Sequence, residues 1–161
     1  IHWQKHQLGQ LPILQKQKNQ LKEELVAQFQ SIRKSISFDQ ANFLASSFGY
    51  QEDVINCNAV LEAANEANFN VFYTDLKNVE FSATDGIFYE VGQGEFQPVD
   101  VWFKIVPWDW MFNEEKDLAV CLGEIIKNNL CKVLNPPYTS VWQNKKFLAY
   151  INENFSNDIF I

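Results

Sequence analysis

The feature that most constrains this chain is a strand, helix and strand packed into about 30 residues. Asn42-Phe43-Leu44-Ala45-Ser46-Ser47 reads as a short strand ending at Phe48-Gly49. A helix is predicted from near Gln51, with Val54, Cys57, Leu61 and Ala64 on its buried face. Asn68 stands in the slot where a left-handed residue closes a helix. Asn70-Val71-Phe72-Tyr73 is the second strand. A helical crossover of this kind makes the two strands parallel and the connection right-handed.

The rest of the pattern extends that unit. Upstream, Pro12 opens a helical run, polar all round from Gln15 to Gln20. Leu21, Leu25, Phe29, Ile32 and Ile36 then form one apolar stripe. Downstream, 87–91 and 95–99 flank Gly92-Gln93-Gly94 and read as a hairpin. Val101 to Val106 is a third core strand, and a helix from about Asn113 to Asn129 buries Leu118, Leu122, Ile125 and Ile126. Lys132-Val133-Leu134 is a fourth short strand, broken by Pro136-Pro137. Ser140 and Gln143 have capping-box spacing before a last helix lined by Phe147, Ile151 and Phe155. Alternating strands and helices predict an α/β fold: a Rossmann-like, mostly parallel open sheet with an N-terminal helix and a β-hairpin insertion.

Composition narrows the function. Lys plus Arg number 13 against 20 for Asp plus Glu, a net charge of -7, which opposes a nucleic-acid partner. No apolar stretch approaches a membrane span, and no signal-peptide pattern is visible. Cys57, Cys121 and Cys131 form no CxxC pair and are expected as reduced thiols of a cytoplasmic protein, with Cys57 and Cys121 packed as small hydrophobes. Both histidines, His2 and His6, lie at the start, which removes a histidine-dependent triad from the core; a frayed end is the plainer reading than a metal site. Ile1 and the apolar Asp158-Ile159-Phe160-Ile161 end suggest a piece of a longer chain, its flanking segments missing.

Three groups carry candidate chemistry. Glu52 and Asp53 fall where the first strand gives way to its helix, the edge at which open α/β sheets bind ligands; acids in a first helical turn also complement the helix dipole. Lys104 lies inside an apolar strand, where a charge snorkels, pairs or binds an anion. Trp108 and Trp110 flank Asp109 beyond it and suit the walls of a ligand pocket, or plain packing. Asn144 and Lys145, in Gln143-Asn144-Lys145-Lys146, sit at a helix start, where lysine neutralises phosphate or forms a solvated basic pair. There is no GxGxxG and no GxxxxGK[ST].

Val101 through Phe112, VWFKIVPWDWMF, resembles the "FKLYPWEWMF" segment of the glutathionylspermidine synthase family of ATP-grasp amide ligases. Leu134-Asn135-Pro136-Pro137-Tyr138 through Lys145 is similar to that family's "LEPPW…SNKA". The resemblance implies a helical segment at 1–36, a pre-ATP-grasp α/β region at 37–135, and a lead-in to an ATP-grasp lobe at 136–161. It implies ATP and Mg²⁺ as cofactors, and an acyl phosphate made from a glutathione-like or peptide acid and attacked by an amine. Lys145 corresponds to a lysine that contacts the ATP phosphates, with Asn144 beside it. Glu52 and Asp53 correspond to an acidic pair near the amine.

The family's "KTWAWET" threonines correspond to Ile105 and Trp110, which lack hydroxyls, so glutathione and spermidine themselves do not carry over. The family's metal ligands precede this stretch, and its second ATP lysine and glycine-rich loop follow it. The resemblance therefore implies an ATP-dependent carboxylate–amine ligase with small-molecule acid and amine substrates, of which this piece alone is inactive and holds no metal. The alternatives are a non-catalytic binding module for a cationic amine or peptide, and a structural interaction domain.

Overall fold

The computed structural model describes residues 21–37 and 39–155. The helical start at Pro12, the polar stretch Gln15–Gln20, the two histidines and the apolar end at 158–161 lie outside the described residues. The elements run α1 (Leu21–Lys34), β1 (Asn42–Ser47), α2 (Gln51–Glu66), β2 (Asn70–Asp75), β3 (Val79–Ser82), β4 (Gly86–Gly92), β5 (Glu95–Val99) and β6 (Val101–Lys104). Then come α3 (Trp108–Glu114), α4 (Lys116–Lys127), β7 (Lys132–Leu134), a 3₁₀ stretch at Pro137–Gln143, and α5 (Lys145–Phe155).

Four strands form a parallel sheet in the order β2-β1-β6-β7. From β1 the chain crosses through α2 to β2 on one side; from β6 it crosses through α3 and α4 to β7 on the other. The order therefore reverses between β1 and β6, the position where such sheets leave a crevice at their carboxyl ends. Asn68 takes a left-handed φ of 63° just past α2, as its position in the sequence suggests.

Period-two alternation gives the central strands two different faces. Phe43, Ala45 and Val101 turn toward α1 and α2, where Phe29, Cys57 and Leu61 join them in one core. Phe29 and Phe69 meet the Phe43 ring edge-on at 5.1 and 5.5 Å. Leu44 and Trp102 turn the opposite way, onto Ile87, Tyr89, Leu122 and Ile125. The Trp102 indole donates to Ser46 Oγ at 3.1 Å, so its polar edge is satisfied within the core.

The hairpin is the end of a three-stranded antiparallel meander, β3-β4-β5. Asp100 joins it to the parallel sheet: its carboxylate accepts the Asn42 N–H at 2.7 Å and its carbonyl accepts the Lys132 N–H at 2.9 Å. Four expected elements differ. The third core strand ends at Lys104 rather than Val106. The helix expected over 113–129 is two helices, α3 beginning at Trp108 directly after Pro107. Asn144, not Ser140, caps α5, its Oδ1 accepting the Lys146 N–H at 2.9 Å. On α5, Phe147 and Ile151 are half-buried and Phe155 is exposed.

Among the described residues no helix is long and apolar enough to cross a membrane. Cys57 and Cys131 are buried and Cys121 half-buried, none in a disulfide. Burial raises all three thiols, Cys57 to about 11. Trp102→Phe keeps a ring but leaves Ser46 without its donor and opens a small void. It should cost roughly 2 kcal/mol, measured as a lower urea midpoint at unchanged slope.

Candidate functional site

Lys104 pairs in register with Ser46, so it stands at the carboxyl end of β6, on the crevice side of the reversal point. Alternation aims its side chain toward the same face as Trp102. It is 2% exposed. Its Nζ donates to the Val106 carbonyl at 2.7 Å and lies 4.0 Å from the centre of the Trp108 ring. Among the described residues no carboxylate pairs with it. An ammonium has three donors, so this one holds a charge and unused N–H groups beside a cleft. Desolvation pulls its pKa down to about 8, which leaves it protonated at neutral pH.

That cleft has a volume of about 270 Å³. Trp108 and Trp142 wall it, with Thr139 and Asn135 as polar groups. Asn135 holds the walls in place: its backbone oxygen accepts the Trp108 indole N–H at 2.6 Å, and its side-chain amide donates to the Lys104 carbonyl at 3.2 Å. It takes a φ of 58°, a left-handed conformation that asparagine tolerates. Sequence reasoning did not single out Asn135, Thr139 or Trp142; the Asn-Pro-Pro turn directly after β7, at the ligand edge, was the available signal.

Trp110 does not share this cleft. It lines a second pocket of about 320 Å³, against Phe48 with ring centres 4.8 Å apart. Residues two apart in a helix point about 200° from one another, whereas in a strand they share a face. Because Trp108 and Trp110 sit on α3, the helix presents one to each cavity.

Glu52 and Asp53 occupy the first turn of α2, at the same carboxyl edge, Glu52 exposed and Asp53 half-buried. Lys145 is the first residue of α5 and is exposed; among the described residues it lines neither cavity. Asn144 spends its amide oxygen on the cap. Among the described residues no group of three or more His, Cys, Asp or Glu is arranged to hold a metal ion.

The fold is a doubly wound α/β domain with two cavities at its carboxyl edge, the edge where such sheets bind ligands. The chain belongs to the glutathionylspermidine synthase pre-ATP-grasp family, whose model matches residues 1–160, and so to a family of ligases. The comparison with curated proteins returned no match.

The buried ammonium makes stability pH-dependent. The folded chain releases the Lys104 proton near pH 8 and the unfolded chain near 10.5, so between those values the unfolded state binds more protons. Stability should therefore rise with pH across that window through this residue. Lys104→Met removes the buried charge and should stabilise the protein at pH 7 by roughly 1–3 kcal/mol, with the gap closing toward pH 10.5. Urea titrations at pH 7, 9 and 10.5 measure it.

Proposed function

We propose that this chain is the pre-ATP-grasp part of an enzyme that joins a carboxylic acid to an amine at the expense of ATP. The γ-phosphoryl group of ATP passes to the acid's carboxylate, giving an acyl phosphate and ADP. The amine nitrogen then attacks the acyl carbon, phosphate leaves, and the nitrogen gives up a proton. The observation that carries the reading, beside the family match, is the buried and acid-free Lys104 ammonium at the reversal point of the sheet.

Each residue has a physical task in this scheme. A carboxylate and the acyl phosphate made from it are both anionic, and a desolvated cation favours each of them. Lys104 takes that part, with Trp108 holding its ammonium in position. The acid is of the glutathione-like or peptide class, lying in the cleft between Trp108 and Trp142. Glu52 and Asp53 draw the amine by charge. Lys145 meets an ATP phosphate at the start of α5, beside Asn144. Mg²⁺ would offset phosphate charge, with ligands from outside the residues described here. The three unpaired thiols fit a cytoplasmic site of action.

The test is release of ADP from Mg-ATP by the protein that carries this chain with its flanking segments, across paired acids and amines. ADP release that requires both partners is expected. A folded protein that binds amines yet releases no ADP with any pair would instead be a binding module. Lys145→Ala should raise the Michaelis constant for ATP about tenfold, with an unchanged urea midpoint. Equal ATP constants in the two proteins would remove Lys145 from the nucleotide site.

A further inference from the structure

The second cavity has a chemistry opposite to that of the Lys104 cleft. Its walls are the rings of Phe48, Phe81 and Trp110, with Leu76 and Leu118 between them. Its charged groups are two carboxylates, Asp75 and Glu115, and one ammonium, Lys77. Neither Glu52 nor Asp53 lines it.

Asp75 is held in place from two sides. The Tyr73 hydroxyl donates to its Oδ1 at 3.0 Å and is itself in a 2.8 Å hydrogen bond with Ser47. Gly49, at a φ of 88°, lies against the same carboxylate: a Cβ there would fall 2.9 Å from Oδ1. Lys77 reaches the other oxygen only at 3.8 Å, and its side chain is largely exposed. A mobile surface lysine at that range is a weak partner, so Asp75 keeps acceptor capacity toward the cavity.

We infer that this pocket, between the carboxyl ends of β1 and β2 and helices α3 and α4, binds a singly charged primary ammonium carrying an apolar chain. The carboxylates take the ammonium, and the rings and leucines take the chain and add cation–π attraction. A volume of about 320 Å³ suits a small ligand. A polyamine fits poorly, since its further charges would meet either apolar wall or Lys77. The role, as the amine half of the ligation, rests on the proposed function; the binding chemistry does not.

The test titrates n-butylammonium chloride, n-butanol and spermidine into the protein and follows the Trp110 indole N–H by NMR, assigned with Trp110→Phe. The expected result is saturable movement of that signal with n-butylammonium, far weaker movement with n-butanol, and no advantage for spermidine. Asp75→Asn keeps an acceptor for Tyr73 and should weaken n-butylammonium binding at least about tenfold. Should that variant misfold, Glu115→Gln, on the exposed start of α4, is expected to weaken it in the same direction. Equal binding of butanol and butylammonium, or unchanged binding in both variants, overturns the inference. Amine binding at Trp110 without ADP release upholds the pocket and overturns the ligase reading. ADP release driven by n-butylamine with an unchanged Michaelis constant in Asp75→Asn does the reverse.

Discussion

Everything in this domain depends on β6 serving two layers at once. A parallel sheet is covered on both faces, so its central strands have no side that is free to be polar. β6 sends Val101 into the core under α2 and Trp102 into the core under α4. Its fourth residue falls on the Trp102 face at the carboxyl edge, and that residue is Lys104. A lysine in such a place needs a strong compensation, and the structure supplies one backbone carbonyl and one aromatic face rather than an acid. In the function proposed above, an anion arriving from the cleft supplies the remaining compensation.

The carboxyl edge is consequently divided by charge. On one side of α3 lies a cleft lined by Lys104, Trp108 and Trp142; on the other lie two carboxylates among aromatic and leucine side chains. The partition is α3 itself, with Trp108 and Trp110 facing away from each other. A ligase that activates one substrate before admitting the other benefits from such a division, because an amine and an acid free in one cavity would simply form an ion pair.

Much of this was legible in the residues. The β1-α2-β2 unit, the β4-β5 turn, β7 and the left-handed Asn68 follow from hydrophobic period and turn chemistry, and the same reading places Glu52 and Asp53 at the carboxyl edge, in the first turn of α2. What stayed hidden has physical causes. β3 is four residues long, too short for alternation to stand out. α3 is seven residues long, too short for a helical period to stand out, so periodicity assigns the stretch beyond β6 no element of its own. Without a helix there, nothing separates Trp108 from Trp110, and both fall to the walls of one pocket. Asn135 escaped because its contribution depends on a left-handed backbone and on contacts 27 and 31 residues away along the chain, which no local pattern reports.

The central claim is that Lys104 is a desolvated cation reserved for an anionic substrate. Its most direct measurement is a pH titration of the ¹³C-labelled Lys104 side chain by NMR, without and with saturating acetate as the simplest carboxylate. The account predicts a midpoint near 8 for the free protein that moves upward when acetate binds. A midpoint at the ordinary lysine value, or one that acetate leaves in place, would contradict it.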